Sequence, residues 1–179
     1  VDNADAAGML CVVAAGNSGP GYQTVDSPGV ARSALTVGST YKSDQISESS
    51  SRGPVDVGGG AFLIKPEILA PGVTITSTIR GGGYGAKSGT SMAAPHVAGA
   101  AALVRQARPT WTPGQVKALL TGWARPLNFD AATQGSGRLD VAASFAANAL
   151  FEAANVSFGL VRGSLPVTRQ QDVQLRNPG

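Results

Sequence analysis

The stretch Val97-Ala-Gly-Ala-Ala-Ala-Leu-Val104 carries no charged or amide side chain, and it lies inside a segment, Thr90 to Arg108, that Pro109 ends. A helix that is apolar all round has to be buried. Lined by Ala and Gly, it can also approach a sheet very closely. Thr90 is a candidate N-cap and Pro109 a stop. The sheet is announced by Met9-Leu-Cys-Val-Val-Ala-Ala15, a continuous apolar run bounded by Gly16-Asn17-Ser18-Gly19-Pro20. Such a run suits a strand covered on both faces, as parallel sheets require. Further strands are predicted at Ala34 to Val37 and at Val73 to Thr78, the second after a turn at Ala70-Pro71-Gly72. A second helix is predicted from Thr112-Pro113 through Leu120, with proline tolerated in its first turn, and a third over about Asp140 to Phe151. Tyr41 to Gly60, polar and Gly-rich, is predicted to be surface loop. The sum is an α/β fold with a mostly parallel sheet and helices on both faces.

At 179 residues, 42% of them apolar and 14% charged, the chain can build one packed core. Its 14 basic residues give a net charge of +3 but form no run or stripe, which leaves nucleic-acid binding unsupported. Cys11 is the sole cysteine, so no internal disulfide exists, and its apolar neighbours suit a small buried hydrophobe. No apolar stretch reaches the roughly 18–20 residues that a membrane-spanning helix needs. Val1-Asp-Asn-Ala-Asp-Ala-Ala-Gly8 reads as the tail of a helix already under way. From Val156 the pattern changes to short alternating segments, Val156 to Gly163 and Val173 to Gly179, the start of a β-rich extension.

The densest chemistry lies in Gly89-Thr-Ser-Met-Ala-Ala-Pro-His-Val-Ala-Gly99, which puts Ser91 in the first turn of a helix, straight after a glycine-rich loop. Helix N-termini present unpaired N–H groups and a partial positive charge, both suited to an anion forming beside the serine oxygen. Pro95 has no N–H for the Ser91 carbonyl, so the first turn departs from a regular ladder. Taken alone, a Thr-Ser pair at a helix start is more simply a cap. Gly16-Asn17-Ser18-Gly19-Pro20, alone, is an ordinary loop.

Together these segments resemble the subtilase family of serine proteases. The run 89–99 is similar to the family's active-site serine motif, and Val13-Ala-Ala-Gly-Asn-Ser-Gly19 to its oxyanion segment, in the same order along the chain. Ser51-Arg-Gly-Pro54 and Lys65-Pro-Glu-Ile-Leu-Ala-Pro-Gly72 also resemble subtilase sequence. The resemblance implies part of a three-layer α/β/α sandwich, with residues 1–155 forming the C-terminal part of a catalytic domain and 156–179 an appended extension. It implies endopeptidase action on polypeptide substrates, with Ser91 as nucleophile, Asn17 as oxyanion donor, and Thr90 in support. Ala14, Ala15 and Gly16 would line the S1 side of the cleft. Asp26, in a segment similar to the base of the S1 pocket, would favour Lys or Arg at P1; the plainer alternative is that it fixes its own Asp-Ser-Pro turn.

The family's catalytic unit is Asp, His and Ser in that order, and this chain matches the serine alone. His96, the one histidine, stands five residues past Ser91, about 140° around a helix, and is assigned to packing. The missing Asp and His are expected upstream, in the N-terminal half of the domain, which becomes the first expected partner. Pairing of the fragment with itself is the second. The resemblance also implies secretion or a cell-envelope location. It raises calcium as an ion the family binds, though the carboxylate spacing shows no calcium loop. A non-catalytic pseudoprotease or partner-binding module is the competing reading.

Overall fold

The computed structural model describes residues 1–151, 153, 155–159 and 168–177. In chain order its elements are helix α1 (Asp2–Ala6), strands β1 (Val12–Ala14), β2 (Leu35–Thr40), β3 (Val55–Asp56), β4 (Phe62–Leu63), β5 (Ile68–Pro71), β6 (Ile75–Thr78) and β7 (Tyr84–Lys87), helices α2 (Thr90–Ala107), α3 (Pro113–Gly122), α4 (Ala131–Gln134) and α5 (Val141–Phe145), and strands β8 (Leu150–Phe151) and β9 (Leu175–Arg176). The central sheet is parallel, in the order β1-β2-β5, with Ala14 opposite Val37 and Val37 opposite Ile68.

Side-chain alternation divides the sheet into two faces. Leu35 and Val37 of β2, with Ile68 and Ala70 of β5, join Val97 and Val104 of α2 and Val116 and Leu120 of α3 in one buried core. On the opposite face, Thr36 donates its hydroxyl to the Gly29 carbonyl at 2.7 Å. A Cβ on Gly38 would stand 2.9 Å from the Ser50 hydroxyl. Loops 16–30 and 46–53 therefore cover that face. This corrects the expectation of a surface loop at Tyr41 to Gly60: Ile46, Ser47, Ser50 and Ser51 are buried, and Val55–Asp56 is a strand. The loop is polar because its serine hydroxyls serve backbone groups, as when Ser50 accepts the Ser39 N–H at 3.0 Å.

Two strand expectations also change. Ala70-Pro71 is not a turn but the end of β5. Pro71 is tolerated as the last residue of a strand that closes one side of the sheet. The predicted strand at Val73 to Thr78 is shorter, and it pairs antiparallel with β7 in a separate hairpin, Ile75 opposite Lys87 and Thr78 opposite Tyr84.

The helices start largely where their caps dictate. Thr112 accepts the Gln115 N–H while Gln115 returns to the Thr112 N–H, a reciprocal capping box ahead of Pro113. Asp140 accepts the Ala143 N–H at 2.9 Å to open α5. That helix ends at Phe145, short of the expected Phe151, because Leu150 and Phe151 pair with Arg176 and Leu175. Residues 156–159 form no strand, and 160–163 lie outside the described residues. Helix α2 is not buried all round: Val97, Ala100 and Val104 face the core, whereas Ala98, Gly99 and Ala102 are exposed and Leu103 is 50% exposed.

Candidate active site

Strand β1 and helix α2 bring the two candidate chemical residues to one place. Ala14 ends β1, and Ala15, fully buried, donates its N–H to the Val37 carbonyl at 2.9 Å, extending the ladder by one residue. The chain then turns at Gly16, whose φ of +108° is open to glycine alone at little cost. A Cβ there would stand 2.8 Å from the Ser51 hydroxyl and 3.0 Å from Asp26 Oδ2. Beyond this turn Asn17 reaches the start of α2. Its Oδ1 accepts the Thr90 N–H at 2.9 Å, and the Thr90 hydroxyl lies 3.2 Å away.

Thr90 is the first helical residue rather than the N-cap; that position belongs to Gly89, which has no side chain to offer. Asn17 does the capping from 73 positions upstream. Since an N–H can only donate, the Asn17 atom facing it must be the carbonyl oxygen. The amide NH2 is thereby left with both protons free of Thr90. Gly89 makes room for this contact, because a Cβ at its φ of +144° would stand 3.3 Å from both Asn17 amide heteroatoms. Thr90 also bonds Gly16 through its hydroxyl, at 3.3 Å from the Gly16 nitrogen and 3.2 Å from its oxygen.

Ser91 follows in the first turn of an 18-residue helix and is exposed. It borders a groove of about 370 Å³ lined by Ile75, Thr76 and Ser77 of β6 and by Met92, Pro95 and His96 of α2. The β6 wall carried no signal in the sequence beyond a strand pattern. His96, expected to pack, is exposed, with Nδ1 2.9 Å from the Met92 carbonyl.

Asp26 lies under the Gly16 turn. Its backbone N–H donates to the Ala15 carbonyl at 3.0 Å, and its Oδ2 accepts the Ser18 hydroxyl at 3.3 Å. The carboxylate is exposed and, among the described residues, does not bond the Asp-Ser-Pro backbone. Ser51 completes the turn by accepting the Ser18 N–H at 3.0 Å and donating its own N–H to the Gly16 carbonyl at 3.1 Å. Among the described residues no group of three or more His, Cys, Asp or Glu side chains is placed to hold a metal ion, so no residue is assigned to calcium. No helix among them is long and apolar enough to cross a membrane.

The subtilase family (peptidase S8) matches residues 1–153. The chain is 40% identical over 146 residues to subtilisin E of Bacillus subtilis, an alignment that covers 80% of this chain and 35% of that protein. It is 39% identical over 128 residues to the minor extracellular protease Vpr of the same organism, covering 65% of this chain and 16% of Vpr. Among solved structures, the S41 psychrophilic protease superposes with a TM-score of 0.70 at 32% identity, over 78% of this chain and 50% of that one. The chain thus spans half or less of the length of these relatives, and it belongs to the subtilase family.

Proposed function

We propose that this chain supplies the nucleophile and an oxyanion donor of a serine endopeptidase, with the triad's Asp and His contributed from upstream sequence. The observation that carries this is the lock between Asn17 and Thr90, which leaves an amide donor free beside an exposed first-turn serine. Ser91 Oγ attacks the scissile carbonyl carbon while its proton passes to the upstream imidazole. The carbonyl oxygen becomes an oxyanion and takes a hydrogen bond from Asn17 Nδ2 and another from the Ser91 backbone N–H, which, as a first-turn group, has no partner four residues back. The proton then returns through the imidazole to the leaving amine as the acyl-enzyme forms, and water releases the acid in a second, equivalent cycle.

Ala14, Ala15 and Gly16 form the wall along which the substrate backbone passes. Asp26, beneath Gly16, selects Lys or Arg at P1: its exposed carboxylate accepts from the Ser18 hydroxyl and lies 3.0 Å from where a Cβ on Gly16 would stand, so it offers an anion at that wall. The N-terminal half of the domain seats on the exposed side of α2. A groove of about 500 Å³ there is bounded by Met9, Leu10 and Val12 on one side and by Ala98, Ala102 and Arg105 on the other. In its absence, copies of the chain pair through the same apolar surface. Residues 156–179 begin a β-rich extension to the catalytic domain, and the protein acts outside the cytoplasm, as the name of the relative Vpr states for that protein.

The reading is tested by Asn17→Ala in the complete protease. It is expected to lower kcat by about 10²–10³-fold with little change in KM, the scale measured for an oxyanion donor in subtilisin itself. A raised KM with unchanged kcat would make Asn17 a ground-state contact only.

A further inference from the structure

We infer that Ser51 is a positioning residue for the reaction: it grips the turn that carries Asn17 from both sides and so aims the Asn17 amide. This rests on the oxyanion role proposed for Asn17. Asn17 is exposed, and among the described residues its own backbone N–H and carbonyl make no hydrogen bond. Its side chain is anchored at Thr90, whose N–H donates to Oδ1 at 2.9 Å. The place of its Cα is therefore decided by its two neighbours, and Ser51 holds both. The Ser51 N–H donates to the Gly16 carbonyl at 3.1 Å, and the Ser51 hydroxyl oxygen accepts the Ser18 N–H at 3.0 Å. Among the described residues no other side chain or backbone group bonds the chain on both sides of Asn17. Thr90 reaches Gly16 alone, and Ser49 reaches Gly19, one step further on.

Ser51 can serve as a fixed point because it is itself held. It is fully buried, and both of its neighbours are tied to the framework. On one side the Ser50 hydroxyl accepts the N–H of Ser39 in β2 at 3.0 Å. On the other, Arg52 donates its N–H to the Thr24 hydroxyl at 3.0 Å, and its carbonyl accepts the Thr24 N–H at 2.9 Å. The turn also rests on Ser51 by contact, since the Ser51 hydroxyl fills the space that a Cβ on Gly16 would need.

The consequence for the reaction is geometric. An oxyanion donor contributes through its placement on the oxygen as charge develops, and a misplacement of about 1 Å can cost about 10²-fold in rate. Thr90 fixes the far end of the Asn17 side chain, and Ser51 fixes the backbone at its near end. With both ends held, the amide has little room to swing. Loss of the Ser51 hydroxyl frees the Ser18 side of the turn, while the Ser51 N–H still holds the Gly16 carbonyl. The turn stays in place, but Asn17 gains a hinge on one side. The Gly16 wall is kept, so substrate binding in the ground state is kept with it.

The test is a double-mutant cycle in the full-length protease, with kcat taken per active site by titration with a covalent serine reagent, so that misfolded molecules do not count. Ser51→Ala should lower kcat by about 10–100-fold with little change in KM. It should weaken by the same factor the binding of a peptide aldehyde, which forms a tetrahedral oxyanion on the serine. In the Asn17→Ala background the same substitution should change neither quantity, because no amide is left to aim. An equal loss in both backgrounds shows that Ser51 acts by another route and overturns the proposal. An unchanged kcat in Ser51→Ala, beside a lowered one in Asn17→Ala, overturns it as well and leaves the oxyanion role of Asn17 standing. Asn17→Ala with undiminished kcat overturns that role and the proposal with it. Should Ser51→Ala give no titratable enzyme, Ser51→Cys takes its place, close in size and a much weaker acceptor. A fall in kcat that requires Asn17 supports the proposal, and full activity overturns it.

Discussion

Ser91→Ala in the complete protease should lower kcat by about 10⁶-fold, the scale known for loss of the nucleophile in subtilisin, and leave only what binding and oxyanion donors supply. Ala preserves the helix start, because the first-turn lock runs through Thr90 and Asn17 and not through the Ser91 hydroxyl. Circular dichroism and substrate-analogue affinity should therefore be unchanged while turnover collapses. The isolated chain should show no peptidase activity, since its one imidazole, His96, sits with Nδ1 on the Met92 carbonyl and an unassisted serine hydroxyl is a poor nucleophile. Peptide cleavage by the purified chain that vanishes with Ser91→Ala would show that some other group here serves as base.

The second large effect concerns stability. Glu67 is 4% exposed and Lys65 1%, and the Lys65 ammonium donates to Glu67 Oε2 at 3.0 Å and to the Ala34 carbonyl at 2.7 Å. Lys117 pairs with the other Glu67 oxygen and donates to the same Ala34 carbonyl at 3.0 Å. Glu67 Oε2 also accepts the Thr36 N–H at 3.0 Å, which ties the cluster to β2. Glu67→Ala would strand two neighbouring cations with no anion between them, at a cost of about 3–5 kcal/mol. Urea unfolding should show it as a lower midpoint with an unaltered slope. A loss below about 1 kcal/mol would mean that water or movement of Lys117 relieves the cluster, against the burial described here.

The same cluster makes stability depend on alkaline pH. Burial pushes the Lys65 ammonium down from 10.5 to about 8, with Glu67 opposing and Lys117 adding to the fall. Below about pH 8 Lys65 carries its proton in both the folded and the unfolded chain. Between there and 10.5 the unfolded chain holds a proton that the folded one has released, so stability rises with pH across that window. The unfolding midpoint of Lys65→Met should lack this rise; a wild-type profile flat over the window would mean that Lys65 stays charged when folded.

This cluster also explains why part of the sheet was hard to read. No strand was predicted at Ile68 to Pro71, because Lys65 and Glu67 are charged and charged residues are seldom buried; only their mutual pairing lets β5 begin beside them. The glycine-rich loop ahead of Ser91 concealed β7, because Gly81 to Gly83 form the tip of a hairpin while Gly85 lies within β7, opposite Ser77. Ser50 and Ser51 looked like solvent-facing loop, and their burial follows from backbone donors some eleven and thirty-three residues away. In contrast, α3 was legible from Thr112-Pro113-Gly-Gln115, where cap and helix are contiguous. Ser91 and Asn17 were legible for the same reason: each sits in a short contiguous motif. The contact of Asn17 with Thr90, and the exposure of His96, depend on which elements meet in space.

That contact has a consequence for the order in which the chain becomes dangerous. The bonds joining Thr90 to Asn17 and Gly16 span 73 and 74 positions. Contacts this distant bear the full entropy of closing the intervening loop, and they form after helices and hairpins have been made locally. Helix α2 can exist early, but its serine gains the neighbouring amide only once β1, β2 and β5 have docked on it. The nascent or partly folded chain therefore carries the Ser91 hydroxyl without the Asn17 amide near it, and, under the proposed function, completion of the tertiary fold is itself the step that arms the serine.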